Sequence, residues 1–178
     1  MNKSRLTFAL AITLALSFLT PPAAHAADKG YRYWGYFQAA PGATMWTMAM
    51  TGPTVNIPDG SVEGWAFTFS SDSVPDAATP RIAPDFSHIC GATRAITGKK
   101  RIAITVDFGS PFIKPKGETV PRSFSKCVVI EKSALGVDVL GKVVKLRASA
   151  SGLICSFNSY PAKECGAEIT TPSALLKK

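Results

Sequence analysis

Apolar and polar positions alternate over most of residues 30–71, which is the pattern of β-strands with one buried face. Two of the alternating stretches, TMWTMAMTG and GWAFTFSS, are separated by a turn signal at Asp59-Gly60. The stretch before them, GYRYWGYFQ, departs from the pattern because aromatic residues occupy both of its faces. One face carries Tyr31, Tyr33 and Phe37, and the other carries Trp34 and Tyr36. Together the three stretches predict an aromatic, antiparallel β unit over residues 27–80.

The second half of the chain, residues 81–178, mixes strand and helix patterns. RIAITVDF, CVVIE and LICSF have the composition of buried or half-buried strands. VDVLGKVVKLRAS has the apolar period of a helix, which predicts one main helix near 138–148. Asp85 could cap a shorter helix near 85–95. The predicted fold class is a single small α+β domain, with about six mainly antiparallel strands packed on the main helix.

The first 26 residues have the features of a signal peptide. Lys3 and Arg5 precede the apolar run LTFALAITLALSFL, and AHA provides small residues before the expected cleavage at Ala27. A membrane-spanning helix needs about 20 apolar residues, and this run is shorter. We expect residues 1–26 to be removed, and residues 27–178 to be secreted or held at the extracytoplasmic surface without a transmembrane anchor of their own.

All four cysteines lie in the predicted mature chain, at Cys90, Cys127, Cys155 and Cys165. An even number of cysteines in an exported protein predicts two disulfides, for which three connectivities exist. Cys155 and Cys165 flank a short turn-like segment and are the natural local pair, which leaves Cys90 with Cys127. A zinc site is the alternative, but the chain has no C-x-x-C pair, so we expect no bound metal.

The charge pattern and the absence of nucleotide-binding motifs argue against two classes of function, nucleic-acid binding and nucleotide binding. The net charge is +8, and GKKR at residues 98–101 is the densest basic cluster. The aromatic residues lie far upstream of it, so the interleaving typical of a nucleic-acid interface is missing, and no nucleic-acid partner is expected. Neither GxGxxG nor a P-loop occurs, so we expect no cofactor.

No catalytic constellation stands out in the sequence. His88 is the mature chain's one histidine and lies three residues after Asp85, so a base with an orienting carboxylate is conceivable. There is no GxSxG to supply a nucleophile. Asp59 and Glu63 are carboxylates close in sequence, but one lies in a turn signal and the other just before a strand. We assign no catalytic residue.

The aromatic residues support two interpretations. They could form the core of a small β-rich domain, or those on the second face of the first strand could stack on a ligand. For the second interpretation, Trp34 and Tyr36 are the expected contacts. The supporting or core residues would be Tyr31, Tyr33, Trp46 and Trp65.

Several ordered motifs also resemble a known family. YRYWGYFQ, WTMAMTGPTVNIPDGSVEGWAF, DFSHICG, RIAITVDFG and GLICSFNSYPAKECG span nearly all of the mature chain. They are similar to an uncharacterised family of secreted actinobacterial proteins, often encoded beside components of energy-coupling-factor importers. The order of elements in the C-terminal half is also similar to small β-grasp-like domains, which is a likeness of fold only.

These observations favour a non-catalytic extracytoplasmic binding or accessory module. The resemblance implies an association with a membrane uptake system, so the expected partner is an unknown small ligand or a component of the importer. Two alternatives stay open. One is a secreted hydrolase that uses His88, and the other is an inhibitor or adhesin that presents the proline-rich loop 109–126.

Overall fold

The computed structural model describes residues 28–177, so the predicted signal peptide lies outside the described residues. Within these residues, the structure has eight strands and three short helices, with a 3-10 turn at Pro111–Ile113. The elements in chain order are β1 Lys29–Ala39, β2 Thr47–Met48, β3 Val62–Ser71, α1 Phe86–Cys90, β4 Lys99–Asp107, β5 Phe124–Glu131, α2 Gly136–Gly141, β6 Leu146–Ala148, β7 Ile154–Phe157, β8 Ala167–Thr170 and α3 Ser173–Leu176.

One mixed sheet organises the domain. Its strands follow the order β2-β1-β3-β4-β5, and β8 pairs with the start of β1 on the same edge as β2. The β1–β3 and β4–β5 pairs are antiparallel, whereas β3 and β4 are parallel. The predicted α+β class is confirmed. The mixed sheet arises because the chain crosses over through α1 between β3 and β4.

Both faces of this sheet are covered, which explains the two-faced aromatic pattern of β1. The larger core lies on the face that carries Trp34 and Trp65, where Leu140 of α2 and Phe157 of β7 pack against the sheet. On the opposite face, Phe37 packs with Ala66, Ala77 and the partly buried Trp46. A strand that is buried on both sides needs apolar residues at consecutive positions rather than at alternate ones.

The predicted main helix near 138–148 is much shorter in the structure. Helix α2 ends at Gly141, and residues 146–148 form β6, which pairs with β7. The backbone N–H of Lys145 donates to the side-chain oxygen of Asn158 at 2.8 Å, which guides the chain into this pairing. Leu140 and Val144, two residues of the predicted apolar face, are nevertheless buried, whereas Val137 and Val143 of that face are only partly buried.

The half expected to be β-grasp-like shares its sheet with the N-terminal half. Strands β4, β5 and β8 belong to the main sheet, while β6 and β7 form a separate two-stranded sheet. The strand that follows α2 therefore does not return to the main sheet. Helix α1 is also shorter than the predicted segment 85–95, but the Asp85 side chain caps it by accepting from the His88 backbone N–H at 2.8 Å.

Both predicted disulfides are present. Cys90–Cys127 joins α1 to β5 with 5.0 Å between the Cα atoms, and Cys155–Cys165 closes the loop after β7 with 4.2 Å. Two disulfides fit an oxidising, extracytoplasmic location. No helix between residues 28 and 177 combines the length and apolar character needed to cross a membrane.

Candidate functional site

The predicted aromatic contacts divide into buried and accessible side chains. Trp34, Tyr36 and Trp65 are buried in the larger core, and the rings of Tyr36 and Trp65 stack with centroids 4.4 Å apart. Tyr31 is 54 % exposed, and Tyr33 is partly buried. The rings of Trp34 and Trp65 are thus enclosed by protein. Direct ligand contact by this set stays a prediction, and the accessible members are the ones positioned for it.

Trp46 directly precedes β2, and its ring packs over β3. Its indole N–H donates to the carbonyl of Ile82 at 3.1 Å. The ring lies over Gly64 of β3, where an added Cβ would come within 2.6 Å of a Trp46 ring carbon. This ring holds the segment that follows β1 against the sheet, and it is partly buried as a result.

A buried polar cluster lies where β1 and β3 run side by side. Glu63 is almost fully buried and is the register partner of Gln38. The hydroxyl of Tyr36 donates to one carboxyl oxygen of Glu63, and the Gln38 amide N–H₂ donates to the other at 3.2 Å. The same amide group donates to the Tyr36 hydroxyl at 2.9 Å, which closes the cluster.

Burial dominates the electrostatics of this cluster. Loss of hydration raises the pKa of Glu63 to about 7, although the hydrogen bonds from Tyr36 and Gln38 and the charge of Lys100 act in the opposite direction. The pKa of Tyr36 is raised, first by burial and then by the neighbouring carboxylate. Near neutral pH the carboxyl group of Glu63 therefore exchanges between its neutral and its charged form.

Lys100 supplies a positive charge near this carboxyl group. It lies on β4, is buried, and donates to the side-chain oxygen of Asn56 and the backbone carbonyl of Ile57, both at 2.8 Å, and to the carbonyl of Ala134 at 2.7 Å. Burial lowers the pKa of Lys100, while the carboxylate of Glu63 favours its charged form. The three oxygens fix the ammonium group and leave the Glu63 carboxyl group to Tyr36 and Gln38.

A cavity of about 250 Å³ opens beside the cluster, between the end of β1 and the start of β3. Gln38, Asn56, Ser61 and Glu63 are its polar lining residues. Most of the remaining wall is apolar and comprises Ala39, Ala40, Pro41, Val55, Ile57 and Pro58. Gly136 closes the cluster from the side of α2, where an added Cβ would lie 3.1 Å from the Tyr36 hydroxyl. The arrangement can accept hydrogen bonds from a small molecule with an apolar body.

The sequence pairs Glu63 with Asp59, but in the structure Glu63 is buried and bonded to Tyr36 and Gln38. Asp59 is exposed and accepts from the backbone N–H of Arg101 at 2.6 Å. The sequence does indicate that the Glu63 side chain points inward. Glu63 lies two residues before Trp65, and residues two apart share one face of a strand, here the inward face of β3. A carboxyl group at an inward position predicts either a buried polar network or a site.

The other candidate residues have local roles. The Asp85 carboxylate bonds the backbone of His88, and the His88 side chain is exposed. The proline-rich loop is held by Arg32, whose guanidinium donates to the carbonyls of Ile113 and Lys114, both at 3.1 Å. Within residues 28–177, no three His, Cys, Asp or Glu side chains are grouped to hold a metal ion.

The fold and the cavity define a disulfide-linked α+β domain with a buried carboxyl group beside an open pocket. The family model of the SCO2322-like domain matches residues 26–170, which is most of the chain. The protein therefore belongs to the SCO2322-like domain family. No curated protein matches the chain, and no solved structure does.

Proposed function

We propose that this protein is a non-catalytic extracytoplasmic binding module that captures a small ligand in the cavity beside Glu63. The observation that carries the proposal is a buried carboxyl group at the wall of a cavity of about 250 Å³. Burial of a charged group costs free energy of folding. Apolar residues of similar size can often replace such groups without loss of stability, so stability alone does not require a carboxyl group here. The presence of a carboxyl group at this buried position supports a role in recognition.

The contacts of the cluster indicate the chemistry of the ligand. Both N–H groups of the Gln38 amide are engaged by Tyr36 and Glu63, which leaves its carbonyl oxygen to face a ligand. Glu63 retains further acceptor capacity after its two bonds. The apolar walls favour a hydrocarbon body. The expected ligand is a compact molecule whose N–H or O–H group donates to Glu63 and Gln38.

The proposal also includes a more specific role, in which the protein acts together with a membrane importer. Its support is the resemblance to exported proteins that are often encoded beside energy-coupling-factor importers. The same cavity would then hold a ligand before transfer to the membrane component. Co-purification of the mature chain with energy-coupling-factor importer components from the same cells would test this part separately from ligand binding.

The test is a thermal-shift screen of small amines, amides and alcohols, with calorimetric titration of the compounds that stabilise the protein. We expect binding to weaken about tenfold or more in Glu63→Gln, because a carboxylate acceptor is replaced by a neutral amide. Ala40→Trp should block the cavity mouth, while Ala43→Trp, an exposed position in the same loop, should bind normally. Equal binding by wild type, Glu63→Gln and Ala40→Trp, or no stabilising compound in the panel, would contradict the proposal.

A further inference from the structure

All methionines of the chain other than the initiator lie in one exposed segment. The sequence contains four methionines, and those after Met1 are Met45, Met48 and Met50. Their exposed fractions are 77 %, 47 % and 91 %. Large apolar side chains are usually buried, so three neighbouring exceptions of one residue type require a reason.

The composition of the core shows that these methionines are not present to supply apolar volume to it. Its buried side chains are Phe, Trp, Tyr, Ile, Val, Leu, Ala and Cys, and methionine does not occur among them. Methionine ordinarily fills irregular gaps in a core because it is flexible. Among the described residues it occurs only where its side chain is exposed. A surface for hydrophobic docking could be made from leucine or phenylalanine, whereas a thioether donor requires methionine.

The backbone of the segment is well anchored. Met48 pairs with Phe37 in the β1–β2 ladder, and the N–H of Ala49 donates to the Tyr36 carbonyl at 3.0 Å. Met48 is the last residue of β2 and Met50 follows it at a bend, so the three methionines lie within the six residues 45–50. Met45 precedes the anchored Trp46 at a bend. Long, flexible side chains at such positions can converge on one small ion.

The types of ligand atom that the described residues offer indicate which metal ion would bind. All four cysteines are in disulfides, so the described residues offer soft ligands only as thioethers. Thioethers select Cu(I), whereas Mg²⁺ and Ca²⁺ prefer oxygen ligands. A thioether also stays uncharged in an oxidising compartment, where a thiol would be converted to a disulfide. We propose that Met45, Met48 and Met50 form a surface binding site for Cu(I).

The test compares the mature chain with the Met45→Leu/Met48→Leu/Met50→Leu variant. Leucine keeps a similar apolar volume and removes the sulfur, so a docking surface would survive this change and a metal site would not. Under anaerobic conditions with ascorbate, each protein competes with a chromophoric Cu(I) chelator. We expect one Cu(I) bound per wild-type chain and a loss of about tenfold or more in affinity for the variant.

Two further measurements make the outcome unambiguous. Titration with Ag(I), a stable substitute for Cu(I), should shift the NMR signals of all three methionine methyl groups together. A thiol assay before and after each titration should find no free cysteine. Equal Cu(I) affinity of the two proteins, or Ag(I) shifts away from the methionines, would identify an adventitious ion only and overturn the proposal. If the triple variant were unstable, Met50→Leu alone, at the most exposed of the three positions, would still be expected to weaken binding.

Discussion

At the scale of single residues, Glu63 links protonation to stability. Its pKa is raised by burial from an ordinary value of 4.5 to about 7. The folded protein therefore binds this proton more tightly than the unfolded chain does. The stabilising contribution is fully present below about pH 4.5 and is lost as the pH rises through 7. The folded state thus bears the cost of a charged carboxylate above neutral pH.

The replacement Glu63→Gln should remove this dependence. Between pH 5 and pH 7.5, the free energy of unfolding of the wild type should fall relative to that of the variant by on the order of 2 kcal/mol. Urea denaturation at several pH values measures the difference. Glu168→Gln, which alters an exposed ion pair with Lys29, serves as the control and should follow the wild type. Parallel stability profiles for wild type and Glu63→Gln would mean that the Glu63 carboxyl group titrates normally.

At the scale of elements, the contact between β3 and the segment after β1 depends on the absence of a side chain at Gly64. An added Cβ there would lie 2.6 Å from Trp46 Cζ3 and 3.0 Å from Pro80 Cγ. Because both neighbours are themselves packed, Gly64→Ala should displace the indole ring. The hydrogen bond from Trp46 to Ile82 should weaken with it.

We expect Gly64→Ala to lower the free energy of unfolding by about 1–3 kcal/mol, as overpacking does elsewhere, and to change the near-ultraviolet circular dichroism of tryptophan. The control is Gly52→Ala, where an added Cβ meets nothing within 4 Å. Its stability should stay within about 0.5 kcal/mol of the wild type. If both variants behaved alike, the Trp46 ring would be free to move and would not anchor the segment.

The elements that could be predicted are those set by local alternation. The strands around Trp65 and Ile104 follow directly from the period of their apolar residues, and β1 is indicated by its run of aromatic residues. The end of α2 could not be predicted in this way, because Leu146 pairs with Phe157, a residue distant in sequence. Such long-range pairing overrides the helical period of a short segment. The parallel β3–β4 pair depends on the same kind of non-local contact.

At the scale of the whole molecule, the candidate site depends on how the two faces of the sheet are covered. The sequence indicated that Trp34 and Tyr36 share a face, but not that α2 and β7 would cover it. The inward position of Glu63 was readable from its spacing to Trp65. Its contact with Tyr36 and its cavity required the register of β1 with β3. Sites formed between strands need this register, which the pattern of one strand cannot provide.

The two disulfides should contribute unequally to the stability of the whole domain. Cys90–Cys127 spans 37 residues of sequence, and Cys155–Cys165 spans 10. A longer closed loop restricts the unfolded chain more, which corresponds to roughly 4 kcal/mol for the first bond and roughly 3 kcal/mol for the second. The first bond also fastens α1 to β5, where Cys90 packs with Val62 and Ala103. Loss of packing at Cys90 should therefore add to the larger effect.

We expect Cys90→Ala/Cys127→Ala to lower the free energy of unfolding more than Cys155→Ala/Cys165→Ala does, as measured by urea denaturation without reductant. The difference should be about 1 kcal/mol or more, since the loop term and the packing term act in the same direction. Reduction of the wild type should destabilise it more than either double replacement, because both loops are then open. The opposite order, with a larger loss of stability on removal of Cys155–Cys165, would contradict this prediction. It would mean that the hairpin of β6 and β7, rather than the disulfide link between α1 and β5, limits the stability of the fold.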